Sequence, residues 1–335
     1  MMKGRKRGLP LIAIGLVAMA SGCAAAPTTM NGNDPRSPLH LARTIALPNV
    51  KGRIDHLAID LARLHLFVAE YGNGSVDEVD LASGRVVGRI VGLHEPQGIA
   101  WLPAQHELVV ASGDGSVRFY AGDDRREVAR IDLGDDADNV RLDARNGQVI
   151  VGFGGGGLAT IDPASHHLLG RLLLAGHPEG FRLVGSRAYV NVPDRGSILA
   201  VDLDRGQITA TWETGVHRMN FPMAVTASGD RIVVAYRLPA AISLLDAKGQ
   251  LAFTRSSCGD ADDIFLDDGR TIVVCGAGHV DVSDMATVDP GVRIATSPGA
   301  RTGLLVPELQ TLFVAAPARQ GPAAIWVFQV RSSAR

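Results

Sequence analysis

From residue 56 onward, short apolar runs alternate with turns rich in Gly, Asn, Asp and Ser. The first repeat predicts strands at 56–60, 64–69, 76–81 and 86–91, with Asn-Gly turn chemistry between the second and third. No segment beyond residue 22 shows a sustained helical stripe. Short β-rich runs bounded by turn residues predict an all-β protein.

This four-strand unit recurs at a nearly constant period. Predicted first strands begin at His56, Gln97, Asn139, Gly180, Pro222, Asp263 and Thr302. The spacings between these starts are 41, 42, 41, 42, 41 and 39 residues. Antiparallel four-stranded units that repeat about every 40 residues are typical of propeller blades. The sequence therefore predicts a single seven-bladed β-propeller over residues 40–330.

The last repeat lacks one strand. Only three strand-like runs, 302–306, 311–315 and 324–330, follow its start. Residues 40–47 form a further strand-like run before the first repeat, with no partner nearby in the sequence. We expect this N-terminal strand to be the outer strand of the last blade, because that pairing closes the ring and removes an open sheet edge.

The N-terminal segment predicts export and lipidation. Residues 1–22 combine a basic start with an apolar run that is too short to span a bilayer, which is typical of a signal peptide. The following Cys23 completes a sequence that resembles a lipobox, so we expect a lipid anchor on this residue; an ordinary secretory signal is the alternative. Ala24 favours an outer-membrane lipoprotein that faces the periplasm. Residues 23–39 predict a flexible tether.

Charge and cysteine content narrow the classes of partner. Residues 1–22 carry four basic and no acidic residues, so their removal changes the formal net charge from −2 to −6. This acidic balance argues against nucleic acid as a partner. Cys258 and Cys275 remain as either buried free thiols or a disulfide, which a periplasmic location permits. We expect a monomer.

The first repeat resembles the YVTN-repeat, YncE-like bacterial β-propellers. The resemblance rests on 66–69 (Leu-Phe-Val-Ala), 74–76 (Gly-Ser-Val), 79–80 (Val-Asp) and 83–87 (Ser-Gly-Arg-Val-Val), with weaker copies at 109–117, 188–201 and 232–246. The Tyr-Val-Thr-Asn tetrad itself is absent. The resemblance covers residues 40–330 and implies a propeller that serves as a binding module more often than as a defined enzyme.

The loops leading into the first strands of a propeller lie on one face, around the mouth of the central channel, where ligands commonly bind. Each repeat places polar side chains there. The candidate ligand-binding residues are Arg53, Asp55, His56, Glu95, Gln97, Asp138, Asn139, His177, Glu179, Asn220, Asp262, Asp263 and Arg301. We expect the carboxylates and imidazoles among them to converge.

Three interpretations of this set remain open. Asp and Asn are common turn formers, so the set could do no more than cap backbone amides. The leading hypothesis is a binding site, without catalysis, for a small molecule or a periplasmic protein, with arginines for anionic groups and acids for a cation or amine. The alternative is a metal-dependent, lactonase- or esterase-like hydrolase. Its divalent cation would be held by Glu95, Asp138, Asn139, Glu179, Asn220 and Asp262.

Overall fold

The protein is described here by a computed structural model that covers residues 26–332. The predicted signal peptide, 1–22, and the predicted lipidation site, Cys23, lie outside this range. Within it, regular structure consists of strands and three short 3-10 helices, Tyr71–Asn73, Pro193–Arg195 and Pro307–Leu309. In the described residues there is no helix with the length and apolar character needed to cross a membrane.

Two strands, β1 (Thr28–Met30) and β2 (Leu39–Ala46), precede the first blade. Blade one contains β3 (Leu57–Asp60), β4 (His65–Glu70), β5 (Ser75–Asp80) and β6 (Arg85–Val91). Blade two contains β7 (Pro96–Leu102), β8 (Glu107–Ser112), β9 (Ser116–Ala121) and β10 (Glu127–Asp132). Blade three contains β11 (Ala137–Leu142), β12 (Val149–Phe153), β13 (Gly157–Asp162) and β14 (His167–Leu173).

Blade four contains β15 (Phe181–Val184), β16 (Arg187–Val192), β17 (Ser197–Asp202) and β18 (Gln207–Glu213). Blade five contains β19 (Met223–Val225), β20 (Arg231–Arg237), β21 (Ala240–Asp246) and β22 (Leu251–Ser256). Blade six contains β23 (Ala261–Asp267), β24 (Arg270–Cys275), β25 (His279–Asp284) and β26 (Val292–Ala295). Blade seven contains β27 (Gly303–Val306), β28 (Thr311–Ala316) and β29 (Ala324–Val330).

The N-terminal strand closes the ring, which confirms the predicted fold class. β2 is the outer strand of blade seven and pairs antiparallel with β29, from Leu39 opposite Val330 to Ala46 opposite Ala324. The observed strand begins and ends one residue earlier than the predicted run, 40–47. Both ends of the propeller therefore meet in one sheet, as the missing fourth strand of the last repeat predicts.

A second N-terminal strand lies in the segment for which the sequence predicts a tether. β1 pairs in parallel with β26 and adds a fifth strand to blade six. The backbone N–H of Thr28 donates to the carbonyl of Gly291 at 2.9 Å. Such pairing satisfies backbone groups at a sheet edge without any apolar periodicity, so a short polar strand gives no signal in the sequence pattern.

The hydrophobic core lies between the blades. Among the described residues, buried apolar side chains form seven clusters, each of which joins two neighbouring blades. In the cluster that completes the ring, Phe313 and Ile325 of blade seven pack against Leu66 and Val68 of blade one. Each blade is thus buried on both faces, and the inner ends of the sheets are left to line the channel.

Candidate functional site

The mouth of the channel is formed where the first strand of each blade begins. In blades three and six this start contains a β-bulge: pairing shifts between Ala137 and Val140 in one, and between Ala261 and Asp263 in the other. A bulge adds a residue to one strand and changes the direction of nearby side chains. The polar residues at the start of β11 and β23 therefore reach the channel, while Ala137 and Ala261 stay buried between blades.

Eight of the thirteen predicted residues line one cavity at this mouth. They are Arg53, Asp55, His56, Asp138, Asn139, Glu179, Asp262 and Asp263. The remaining lining residues are Arg141, Gly180, Arg182, Phe221 and Pro222. The volume of the cavity is about 20 Å³, which is room for one water molecule or one ion. The structure therefore brings eight of the predicted polar side chains together around one cavity.

Three of the predicted residues could hold a metal ion. Asp138, His177 and Glu179 each offer one ligand atom, and these three atoms lie within 4.8 Å of one another. Nε2 of His177 lies 3.8 Å from Oε1 of Glu179, so the imidazole and the carboxylate are neighbours without a direct hydrogen bond. Asp138 is only 8% exposed, and within residues 26–332 its carboxylate accepts no hydrogen bond and forms no ion pair.

His56 lies between two carboxylates. Its Nε2 is 3.8 Å from Oδ1 of Asp55, and its Nδ1 is 3.7 Å from Oδ2 of Asp263. Burial lowers the pKa of His56, but Asp263, Asp55 and Asp138 outweigh burial and raise this pKa to about 9. The imidazole is therefore protonated at neutral pH. Arg53 donates to Asp55 at 2.5 Å, which gives that carboxylate a second cationic neighbour.

Asp262 is held by arginines on the blade five and blade seven sides. Arg237 donates to its Oδ1, and Nε of Arg301 lies 4.0 Å from its Oδ2. Burial raises the pKa of Asp262 to about 6, although Arg237 acts in the opposite direction. The two arginines are shared with Asp260, which Arg301 contacts at 2.9 Å.

Negative charge is crowded at the mouth. Burial raises the pKa of Asp138, and the nearby carboxylate of Asp55 raises it further. Burial also raises the pKa of Glu179 well above its usual value, and the charges of Asp138 and Asp262 add to this effect. Each carboxylate therefore disfavours ionisation of the next, because like charges repel strongly where water is scarce.

The structure places five predicted residues outside the cavity lining: His177, described above, and four others. Nε2 of Gln97 donates to Oδ1 of Asp136 at 2.6 Å, and Glu95 lies against Gly113. Asn220 is fully buried, and its amide donates to Oδ1 of Asn191 and to the carbonyl of Ser197. Arg301 is the fourth, and its closest ion pair is with Asp260. These side chains connect the loops of the mouth to their blades.

Sequence reasoning missed two arginines that line both this cavity and the channel beyond it. Arg141 lies in β11 and Arg182 in β15, three residues after Asp138 and Glu179 respectively. The prediction considered only the loops that lead into the strands. Each of them is a basic residue inside a short strand whose other side chains are mostly apolar. That pattern could have indicated them in the sequence.

The two cysteines left open by the sequence form a disulfide. Cys258 lies two residues before Asp260, in the loop that leads into β23, and Cys275 ends β24. Their Cα atoms are 5.9 Å apart, which is within the usual range for a disulfide. The bond therefore ties one side of the mouth to the sheet of blade six.

Comparison with known proteins supports the architecture. No family model matches the sequence, and no curated protein matches it either. A solved structure described as "Kuenenia stuttgartiensis Hydrazine Synthase" is similar, with a TM-score of 0.74 and 16% sequence identity. The match covers 86% of this chain and 98% of that chain. The similarity is one of fold. At this identity it carries no information about the chemistry of the mouth.

Proposed function

We propose that this propeller is a binding protein whose mouth takes up a divalent metal ion, with no catalysis of its own. One observation carries the proposal: the buried Asp138 has no hydrogen-bond or ion-pair partner within residues 26–332, yet its carboxylate lies within 4.8 Å of ligand atoms of His177 and Glu179, beside a cavity with room for one ion. A buried carboxylate without a partner is costly, and a bound cation would supply the missing partner.

The donor set favours a transition ion over Ca²⁺ or Mg²⁺. Asp138 and Glu179 offer carboxylate oxygens, and His177 offers an imidazole nitrogen. Hard ions such as Ca²⁺ prefer all-oxygen sites, whereas imidazole together with carboxylate suits Zn²⁺ and also accommodates Mn²⁺. The cavity is too small for a whole organic molecule, so a larger ligand or a periplasmic protein would reach this point only with a single cationic group.

Calorimetric titration of the metal-free protein with Zn²⁺ and Mn²⁺ tests the proposal. We expect one ion per chain in the wild type and an affinity at least about tenfold lower in Asp138→Asn, which keeps the shape of the side chain but removes the charge. Asp162→Asn, on an outer turn of the same blade, is the matched control and should bind as the wild type does. Equal affinity in Asp138→Asn and the wild type would contradict the proposal.

A metal-dependent hydrolase is the second candidate, because three protein ligands leave coordination positions open for water or substrate. Turnover of lactones and esters by the Zn²⁺- or Mn²⁺-loaded protein, with loss of turnover in EDTA and in Glu179→Gln, would support it. A loaded protein that binds one ion but turns over none of these substrates would favour the binding protein.

We also propose that the protein is a member of the YVTN-repeat propellers and that it is monomeric. We further propose that a lipid on Cys23 attaches it to the outer membrane, with the mouth open to the periplasm. Support comes from the sequence of the first repeat and from the lipobox-like segment. Replacement of Cys23 by Ala should release the protein from the membrane fraction, whereas Cys258→Ala should not. A Cys23→Ala protein that stays in the membrane fraction would exclude the anchor.

A further inference from the structure

Two arginines on neighbouring strands converge below the mouth. Nε of Arg141 donates to the carbonyl oxygen of Phe181 at 3.2 Å, and Nη1 of Arg182 donates to the same oxygen at 3.0 Å. Arg141 further donates to Oδ1 of Asn139 and to the carbonyl of Val140. All of these acceptors are neutral, so two positive charges meet with no negative charge among their hydrogen-bond partners.

Neither guanidinium has a carboxylate within 4.0 Å in the described part of the chain. This distinguishes the pair from Arg237 and Arg301, which share the carboxylates of blade six. The charge of Asp263 acts on both arginines and that of Asp138 acts on Arg141, but the carboxylate of Asp263 accepts its hydrogen bond from the backbone N–H of Gly303, at 2.9 Å. The two arginines are therefore not compensated by a dedicated ion pair.

Both side chains stay cationic at neutral pH. Burial lowers the pKa of Arg141, and the charge of Arg182 lowers it further, to about 9. Burial also lowers the pKa of Arg182. The direction of both shifts shows that the surroundings disfavour these charges, which a bound anion would reverse.

A second, larger cavity opens beside the pair and shares part of its lining, including both arginines, with the small cavity at the mouth. Its volume is about 350 Å³, within the range of small-molecule sites. Arg141, Arg182, His56 and one acid, Asp263, form its polar wall, and Ile99, Leu304 and Phe265 contribute apolar surface. The three cationic side chains outnumber the single carboxylate, so a space of this size fits a small organic anion.

We propose that Arg141 and Arg182 bind an oxyanion, a carboxylate or phosphate group, on a small ligand inside the channel. The planar guanidinium fork donates two parallel hydrogen bonds to such a group, and two forks that meet at one point can enclose it. The two arginines also line the small cavity at the mouth, but the proposed anion ligands differ from the proposed metal ligands Asp138, His177 and Glu179 in identity and in the sign of their charge. Variants of the arginines and of Asp138 therefore test the two proposals separately.

Titration with inorganic phosphate and with succinate tests this site and separates the two anion types. In a low-salt buffer without oxyanions, we expect at least one of them to bind the wild type at concentrations up to about 10 mM and to raise its melting temperature. Arg182→Gln and Arg141→Gln should weaken this binding at least about tenfold. Arg85→Gln, which alters an exposed arginine on the outer strand of blade one, should leave it unchanged.

Selective modification of the wild type by phenylglyoxal, which reacts with arginine, keeps the test valid if either variant fails to fold. Mass spectrometry should show that the binding anion protects Arg141 and Arg182 but not Arg85. Asp138→Asn should keep the anion response even if it loses metal binding. Absence of binding by either anion, undiminished binding in Arg182→Gln, or modification without protection would each overturn the proposal.

Discussion

Charged residues are arranged in opposite ways within the blades and within the channel. Arg89 of blade one donates to both oxygens of Asp77, at 2.5 and 2.7 Å, and Arg293 of blade six does the same to Asp281, at 2.7 and 2.8 Å. Both pairs join the third and fourth strands of their blades. In these places each buried carboxylate has its own two-point partner.

Part of the channel lacks such pairing, although Asp55 and Asp262 have arginine partners there. Asp138 is buried without a partner in the described residues, and Arg141 and Arg182 donate only to neutral acceptors. Paired charges contribute to the stability of a fold, whereas unpaired charges in a cavity reduce stability and leave interactions available for a ligand. The comparison therefore distinguishes charged residues that stabilise the blades from charged residues in the channel that are available to bind a ligand.

The largest change in stability is expected from removal of the disulfide, which ties one side of the channel mouth to blade six. Replacement of both Cys258 and Cys275 by Ala should lower the free energy of unfolding by about 3 kcal/mol, because the bond closes a loop of 17 residues in the unfolded chain. Metal affinity at the mouth should change much less, since Asp138, His177 and Glu179 lie in other blades. Urea unfolding measures the first effect, and an unchanged midpoint would contradict it.

Loss of a blade arginine should cost about 2 kcal/mol. Arg89→Ala leaves the buried Asp77 and the nearby Glu70 without their cation, and the cost is below that of a fully buried pair because Arg89 is a quarter exposed. Arg85→Ala, on the same strand but exposed, should change stability by less than about 0.5 kcal/mol. Thermal or urea unfolding measures both changes in stability. Equal losses in the two variants would contradict the claim that the paired arginine stabilises the blade more than the exposed one does.

The charge of His56 should make stability depend on pH. Its pKa is raised from 6.5 to about 9 in the folded protein, so its contribution is complete below pH 6.5 and is lost as the pH rises through about 9. A pKa shift of this size corresponds to about 3 kcal/mol, and screening by water at the partly exposed side chain of His56 reduces the expected fall in the free energy of unfolding to about 2 kcal/mol. The fall should be absent in His56→Gln. A wild-type profile that is flat over this range would show that the two carboxylates do not hold the proton.

The smallest expected change in stability is a gain, whereas the preceding replacements cause a loss. Asp138→Asn removes one charge from a crowded cluster and should stabilise the metal-free protein by up to about 1 kcal/mol at neutral pH. The same replacement at Asp77 should destabilise it, because Arg89 loses its partner. Parallel thermal unfolding of both variants measures the difference in sign, and destabilisation in both would break the comparison.

The fold could be predicted because each blade repeats the same local signals. Turns at a period near 41 residues gave the blade number, and the absent fourth strand of the last repeat indicated that the N-terminal run completes it. β1 was beyond such reasoning, because a three-residue polar strand at a sheet edge is specified by its partner and not by its own pattern.

The site could be predicted only in part. The position of a residue in a loop before a first strand was enough to bring eight residues to one cavity. It could not show that Asn220 turns away to Asn191, or that Arg141 and Arg182 point inward from within strands. Those outcomes depend on bulges and on contacts between blades, which have no fixed offset in the sequence.

The central claim, that the unpaired acids of the mouth hold a cation, is tested most directly by crystals grown with Zn²⁺ or Mn²⁺. Anomalous diffraction at the absorption edge of the metal locates the ion without reference to activity. We predict one peak per chain between Asp138, His177 and Glu179, with metal–ligand distances of about 2.0–2.2 Å. A peak confined to other residues, or an unoccupied mouth in a crystal that holds the metal elsewhere, would contradict the account.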